Sequence, residues 1–295
     1  MKLFSALLVV LLSQSVFAYS TPEKKWVPVS PTRELYVEYY APDAGKPTVV
    51  LIHGLTYTTH QWAPFITELR AFGYGVVCYD MQGMGETLLK YAPIRATIPI
   101  TNQIDDLYVM LKNMKLKPPF NVLGLSYGGG VAFGFAIKHP KLVSNLILMA
   151  PYTKPLKKVD DFLKLQVNAT RVLNPFNPYT DDQVYEFFFK QFVYQTYPMQ
   201  EPIVLENQYK LEAVYHMSFG LDAFIPEEHT AELKVPANLI LADKDQYFER
   251  SEYDHFWSLF PAATKKNYFV VKDSEHKIPE AQPKQAALIV KKILE

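Results

Sequence analysis

A single cysteine in 295 residues excludes an internal disulfide. That residue, Cys78, lies in the apolar run Gly75-Val76-Val77-Cys78-Tyr79, which reads as a buried strand, so its thiol belongs to a core rather than to a metal or a nucleophilic site. The signatures of bound metal are missing as well. There is no His-Glu-x-x-His, no Cys/His ligand spacing and no calcium-loop pattern, and no G-x-x-x-x-G-K-S/T run to cradle phosphates. No cofactor is therefore expected. Charge of one sign is also absent: 30 basic residues balance 30 acidic ones, and no Lys/Arg cluster is dense enough to form a nucleic-acid face. Long hydrophobic runs are lacking too, since no segment reaches the roughly 20 apolar residues that a bilayer span requires.

The longest apolar run, residues 3–12, follows Met1-Lys2 and precedes Val16-Phe17-Ala18, whose fairly small residues suit a cleavage site before Tyr19. Residues 1–18 are expected to be a signal peptide, and the protein to be secreted or periplasmic without a stable membrane anchor. No cysteine follows the cleavage site to take a lipid. The alternative is an uncleaved anchor. The sequon Asn168-Ala169-Thr170 would matter only in a eukaryotic host.

With 49% apolar residues, the chain can bury a substantial core. Residues 35–40, 48–52 and 75–79 read as strands, and helical spacing appears between and after them: Trp62, Phe65, Ile66, Leu69 and Phe72, then Ile104, Leu107, Met110, Leu111 and Met114 before Pro118-Pro119. Further strands are expected at 120–123, 143–149, 237–241 and 268–271, with helices from 128 to about 139 and from 284 to 294. Strands alternating with helices imply a mostly parallel sheet covered on both faces, with its site at the carboxyl ends of the strands. Between 155 and about 233 the alternation stops. Prolines 175, 178, 198 and 202 and the aromatic run Tyr185, Phe187, Phe188, Phe189, Phe192 and Tyr194 replace it. Such a segment must pack on something. The reading is a helical cap at 155–233 inserted between core parts 19–154 and 234–295. Its apolar underside either only packs on the core or forms the wall of a ligand pocket.

Gly124-Leu125-Ser126-Tyr127-Gly128-Gly129 joins the strand at 120–123 to a helix. A serine at the apex of a tight strand-turn-helix exposes its Oγ and lets the next backbone N–H bind an oxyanion, while Gly124 and Gly128 let the strand and helix backbones approach closely and permit positive φ where the turn needs it. A serine hydroxyl needs a base, and the base needs a carboxylate to fix its tautomer. Two later strand ends supply them. After 237–241 come Asp243 and Asp245, and after 268–271 comes His276. The order Ser, Asp, His is the one expected for this triad on an α/β sheet.

From about residue 36 onward the chain resembles the α/β-hydrolase fold superfamily. His53-Gly54-Leu55-Thr56, with Trp62 after it, looks like the oxyanion loop, and Asp80-Met81-Gln82-Gly83-Met84-Gly85-Glu86-Thr87 looks like the D-x-x-G-x-G-x-S/T turn. The elbow is the third motif. Ala242-Asp243-Lys244-Asp245 resembles the G-D-x-D acid loop, and His276 with Pro279, Glu280 and Pro283 resembles the histidine loop. Ala242 and Glu275 depart from glycines common in the family, and neither change removes a catalytic atom. The resemblance implies an eight-stranded, mostly parallel sheet, a catalytic set of Ser126, Asp245 and His276, and oxyanion donors at the backbone N–H groups of Leu55 and Tyr127. Asp243 is the rival acid, by register more suited to a structural loop role. His53 is expected to shape the oxyanion loop, and His60, His139, His216, His229 and His255 to be surface or capping residues, with His60 and His216 as outside candidates for the pocket wall. The implied activity is hydrolysis of a small carboxylic ester with an apolar acyl group. A lipase, lysophospholipase, lactonase, thioesterase or noncatalytic ligand-binding member remains an alternative.

Overall fold

The computed structural model describes residues 21–196 and 205–295, so the expected signal peptide lies outside the described residues. Eight strands, β1 (Glu23–Ser30), β2 (Arg33–Tyr40), β3 (Thr48–Ile52), β4 (Gly75–Asp80), β5 (Phe120–Leu125), β6 (Val143–Met149), β7 (Ala237–Ala242) and β8 (Lys265–Val271), form one sheet in the order β1-β2-β4-β3-β5-β6-β7-β8. β2 runs antiparallel to both β1 and β4, and every pairing from β4 to β8 is parallel. The burial explains why the central strands were easy to read. Every residue of β4, β5 and β7 is buried, which demands the unbroken apolar runs seen there.

Helices α1 (Ala63–Ala71), α2 (Gly85–Tyr91), α3 (Ile100–Asn113), α4 (Tyr127–Lys138), α8 (Arg250–Ser258), α9 (Ile278–Ala281) and α10 (Pro283–Leu294) surround the sheet, while α5 (Lys157–Leu173), α6 (Asp181–Thr196) and α7 (Leu205–Phe219) run between β6 and β7. Four elements escape a pattern-based reading, the single-turn α9 within the histidine loop being one of them. The first, β1, carries three charged residues and Pro28, as an edge strand can. Two short helices were also unread: α8 buries only Tyr253 and Phe256, and α2 only Gly85, Thr87 and Leu88, too few to set up a helical stripe. The core is a contiguous apolar cluster on both faces of the sheet, including Trp62, Phe65, Phe133 and Phe135 against Leu51, Val77 and Leu123.

The cap helices are held unevenly. Gly220, just after α7, packs against the backbone of Ile98, and the chain is fixed there by Ile98 N–H donating to His216 O (3.2 Å) and Ile100 N–H donating to Gly220 O (3.0 Å). The start of α5 is tied to the core by the surface pair Lys158–Glu249, and Lys154, just before it, pairs with Glu227 of the cap. The far end of α5 and its connection to α6 project away, with Val172, Leu173 and Phe176 largely exposed.

Candidate active site

Ser126 stands between the last residue of β5 and the first of α4 with φ 53° and ψ −121°, outside the regions an L-residue prefers. Positive φ thus falls on the serine itself and not on its neighbouring glycines, which corrects that part of the expectation, while the close approach of strand and helix is what the glycines provide. A Cβ on Gly124 would lie 2.1 Å from the carbonyl oxygen of Gly128, and one on Gly128 would lie 2.2 Å from that of Ile52. The strand and helix cross with no space for a side chain, and this close crossing forces the apex residue into its strained geometry. Backbone bonds pin the apex: Ser126 N–H donates to Met149 O (3.0 Å), and Ser126 O accepts from Gly129 (2.7 Å) and Tyr152 (2.8 Å).

The acid and histidine loops lie at the ends of the neighbouring strands β7 and β8. His276 Nδ1 is 2.8 Å from Asp245 Oδ2, and both side chains are almost fully buried. The Oδ1 atom of Asp245 accepts the backbone N–H groups of Tyr247 (2.9 Å) and Phe248 (3.2 Å), and Oδ2 also accepts the Tyr253 hydroxyl (3.2 Å). Burial alone would push this carboxyl up; the bond to His276, its charge and the two backbone donors outweigh that and hold it below the usual range. An ionised carboxylate on Nδ1 fixes the Nδ1–H tautomer and leaves Nε2 as the free base. The ring is packed edge-on by Tyr247 and face-on by Phe248.

Asp243 serves the histidine loop from beneath. Its two oxygens accept the N–H groups of Asp273 and Ser274, both at 2.9 Å, which hold its pKa down, and Lys244 N–H donates to Ser274 O (3.0 Å). It clamps the two loops together and makes no bond to His276 in this arrangement, whereas Asp245 does.

On the opposite side of Ser126, the 53–58 loop is brought close enough that a Cβ on Gly54 would lie 3.2 Å from Ser126 Cβ. Thr56 turns the loop at φ 67°. Leu55 and Tyr127 line the same cavity as Ser126, and Tyr127, as the first residue of α4, has an N–H with no intrahelical acceptor. The loop is braced from behind by two buried groups. His53 Nε2 accepts Met81 N–H (3.1 Å), so its proton is on Nδ1, which donates to Gly54 O (2.8 Å). Burial lowers its pKa to about 4, and it stays neutral. Asp80 accepts N–H bonds from Thr59 (2.7 Å) and Glu86 (2.9 Å), and burial raises its pKa to about 6 despite them. A Cβ on Gly85 would lie 2.2 Å from the Asp80 carboxylate, which accounts for the glycine in that turn.

Ser126 and His276 open into one cavity of about 1280 Å³, larger than a typical small-molecule pocket. Its core side includes Leu55, Tyr57, Tyr127 and Tyr152, and its cap side includes Leu163, Val167, Phe189, Phe192 and Val214. The aromatic run of the cap divides: Phe189 and Phe192 face the cavity, while Phe187 is 58% exposed and, with Phe188, is not part of the wall. His60 and His216 are not in the wall either. His139 caps α4 and stacks on Tyr108, and His229 pairs with Glu232. Among the described residues no group of His, Cys, Asp and Glu could hold a metal ion, and no helix is long and apolar enough to cross a membrane.

Three supports of the site were invisible in the sequence. Tyr253 reaches Asp245 from α8, Gln246 Oε1 accepts His276 N–H (3.2 Å), and Tyr152 N–H holds Ser126. Only Gln246, adjacent to the acid, carried a positional hint.

This arrangement of elbow, acid loop and histidine loop on an eight-stranded sheet is that of an α/β-hydrolase. Residues 43–280 match the serine aminopeptidase, S33, family, and the chain belongs to it. The monoacylglycerol lipase ABHD6 of Rattus norvegicus is 24% identical over 261 residues, covering 83% of this chain and 74% of the relative. Among solved structures, a thermophilic esterase from Thermogutta terrifontis superposes with a TM-score of 0.65 at 18% identity, covering 92% of this chain and 98% of that one. A bacterial membrane phospholipase A gives 0.63 at 19% identity, covering 93% and 86%. The two structures show the shared fold, and the family makes the protein a hydrolase.

Proposed function

We propose that the protein is a serine hydrolase that cleaves carboxylic esters bearing an apolar acyl chain. The observation that carries this is the commitment of His276 Nδ1 to the buried Asp245 carboxylate, in a cavity that His276 shares with Ser126. Ser126 Oγ attacks the ester carbonyl carbon while its proton passes to His276 Nε2. The oxyanion is met by the N–H groups of Leu55 and Tyr127. Collapse of the tetrahedral intermediate breaks the bond to the alcohol, which leaves with the proton from His276. Water, deprotonated by the same nitrogen, then hydrolyses the acyl-enzyme. Asp245 orients the ring and stabilises the imidazolium throughout.

Ester rather than peptide hydrolysis is favoured by Tyr127, which stands where many proline iminopeptidases of this fold carry tryptophan, and by the similarity to monoacylglycerol lipase ABHD6, against the aminopeptidase name of the family. An apolar acyl group is favoured by Leu163, Val167, Phe189 and Phe192 in the wall. We also propose export after removal of residues 1–18, which Edman sequencing of the exported protein checks by finding Tyr19 first.

The test is hydrolysis of p-nitrophenyl esters from acetate to palmitate by the mature chain and by Ser126→Ala, Asp245→Asn and His276→Ala. Wild-type turnover with a chain-length optimum above acetate, and losses on the order of 10³-fold or more in each variant with unchanged melting temperature, are expected. A wild type that neither turns over an ester nor labels at Ser126 with a fluorophosphonate would sink the reading in favour of a binding protein.

A further inference from the structure

The connection between α5 and α6 combines extreme exposure with a built conformation. Phe176 is 94% exposed, Leu173 85%, Val172 79% and Tyr179 62%, an apolar cluster at one end of the cap. A loop that merely tolerated solvent would not be fastened as this one is. Asn177 N–H donates to Asn174 O (3.1 Å), closing a turn with Pro175 and Phe176 at its centre, and Tyr179 N–H donates to Asn177 Oδ1 (3.0 Å). The Arg171 guanidinium then staples the loop to α5, bonding Asp181 Oδ1 (2.5 Å), Asn177 O (3.2 Å) and Tyr179 O (2.6 Å). Five hydrogen bonds hold one turn so that its phenylalanine points into solvent.

We propose that this tip, residues 172–179, docks the protein on an uncharged lipid surface and sets the cavity mouth against it. The charge distribution selects that partner. Between Ala169 and Thr180 the only ionic side chain is Arg171, and Asp181 neutralises it, so the tip offers nothing to an ionic peptide or to an anionic headgroup and complements an apolar phase. Size argues against a second copy of this chain. A stable protein interface engages roughly 20–30 residues a side, whereas this cluster offers four large apolar side chains on one turn. The same helix links surface to site: α5 presents Val172 and Leu173 at its end while Leu163 and Val167 line the cavity. The inference rests on the ester-hydrolase reading only for its purpose; the docking itself does not depend on Ser126.

The experiment is co-sedimentation of the mature chain with phosphatidylcholine vesicles, for wild type, Leu173→Ser, Phe176→Ser, Arg171→Ala and Ser126→Ala. Wild type and Ser126→Ala should partition equally, with little change between 0.05 and about 0.5 M salt because no net charge is engaged. Leu173→Ser and Phe176→Ser should each lower the partition coefficient about tenfold or more and leave turnover of a monomeric p-nitrophenyl ester unchanged. Arg171→Ala, which keeps every apolar atom of the tip and frees the turn, should lower it several-fold; equal binding by this variant would refute the role of the stapled turn. No wild-type binding would overturn the proposal, as would binding that Leu173→Ser and Phe176→Ser leave intact. It would equally fall if light scattering without lipid showed a dimer that Phe176→Ser dissociates, since the patch would then be covered by a second copy. Vesicle binding with no ester turnover would refute the enzymatic reading alone.

Discussion

The sheet core and the cap spend their apolar residues in opposite ways. In the core, β4, β5 and β7 are buried throughout, and Gly124 and Gly128 are packed to within the radius of a methyl group. In the cap, α5 buries only Leu163 and Val167 of its 17 residues, and its far end leaves large side chains in water. The core fixes positions of reacting atoms, which tolerates no slack, while the cap presents surfaces, inward to a cavity and outward to solvent. Precision is therefore demanded of one region, and the proposed selectivity would lie in the other.

The contrast can be broken most severely at the strand-helix crossing. Gly128→Ala places a Cβ against the Ile52 carbonyl, and since neither backbone can yield, a loss of about 3 kcal/mol or more is expected, measured as a drop in urea midpoint or as failure to accumulate folded protein. No comparable loss should follow from Phe187→Ala in the cap, where the side chain is already solvated.

Cap selectivity is sharpened by pairing residues from one helix. Phe189→Ala or Phe192→Ala should lower kcat/KM for a long-chain ester about tenfold while leaving an acetate ester within about twofold, because only the long chain reaches those rings. Phe187→Ala should change neither. Equal effects from all three would dissolve the distinction between the inner and outer faces.

A smaller effect is expected in the core at Tyr253→Phe. Removing the hydroxyl that donates to Asp245 leaves three of its four hydrogen-bond contacts in place, so kcat should fall about three- to tenfold with KM nearly constant. A change confined to KM would mean that this hydroxyl acts on the pocket and not on the acid.

The smallest effect is a change of slope. His53 is depressed to about 4, so its contribution is complete above its unfolded value of 6.5 and is lost as pH falls through 4. Asp80 is raised to about 6 from 3.8, so its contribution is complete below 3.8 and is lost as pH rises through 6. The two oppose each other over the same window. In Asp80→Asn only the His53 dependence survives, and the urea midpoint should fall more steeply than in wild type between pH 6.5 and 4.

Much of this was legible before any coordinates, for reasons that differ by element. Buried parallel strands must be continuously apolar, so β3 to β7 announce themselves, and a serine forced to the apex of a glycine-flanked turn leaves a pattern because steric exclusion acts on neighbours in sequence. What was not legible depends on neighbours in space. The strand β1 is polar and interrupted by Pro28 because it pairs on one edge only, and α8 is signalled by little beyond Tyr253 and Phe256. The aromatic run from Tyr185 to Tyr194 marked something packed, yet which of its rings face inward was fixed by how α6 rests on α5 and α7.

The sequence by itself determined the fold class and the family and pointed to Ser126, His276 and an acid at Asp243 or Asp245 as the proposed catalytic set, since each depends on local pattern. Only the tertiary structure shows which of Asp243 and Asp245 meets His276. The two carboxylates are separated by a single residue and chemically alike, and only the course of the loop turns one under the histidine loop and the other onto the imidazole. It also divided Phe189 and Phe192 from Phe187, and it gave the positive φ to Ser126 rather than to a glycine. In each case residues alike in sequence differ in direction, and direction is set by packing against parts of the chain far away along it.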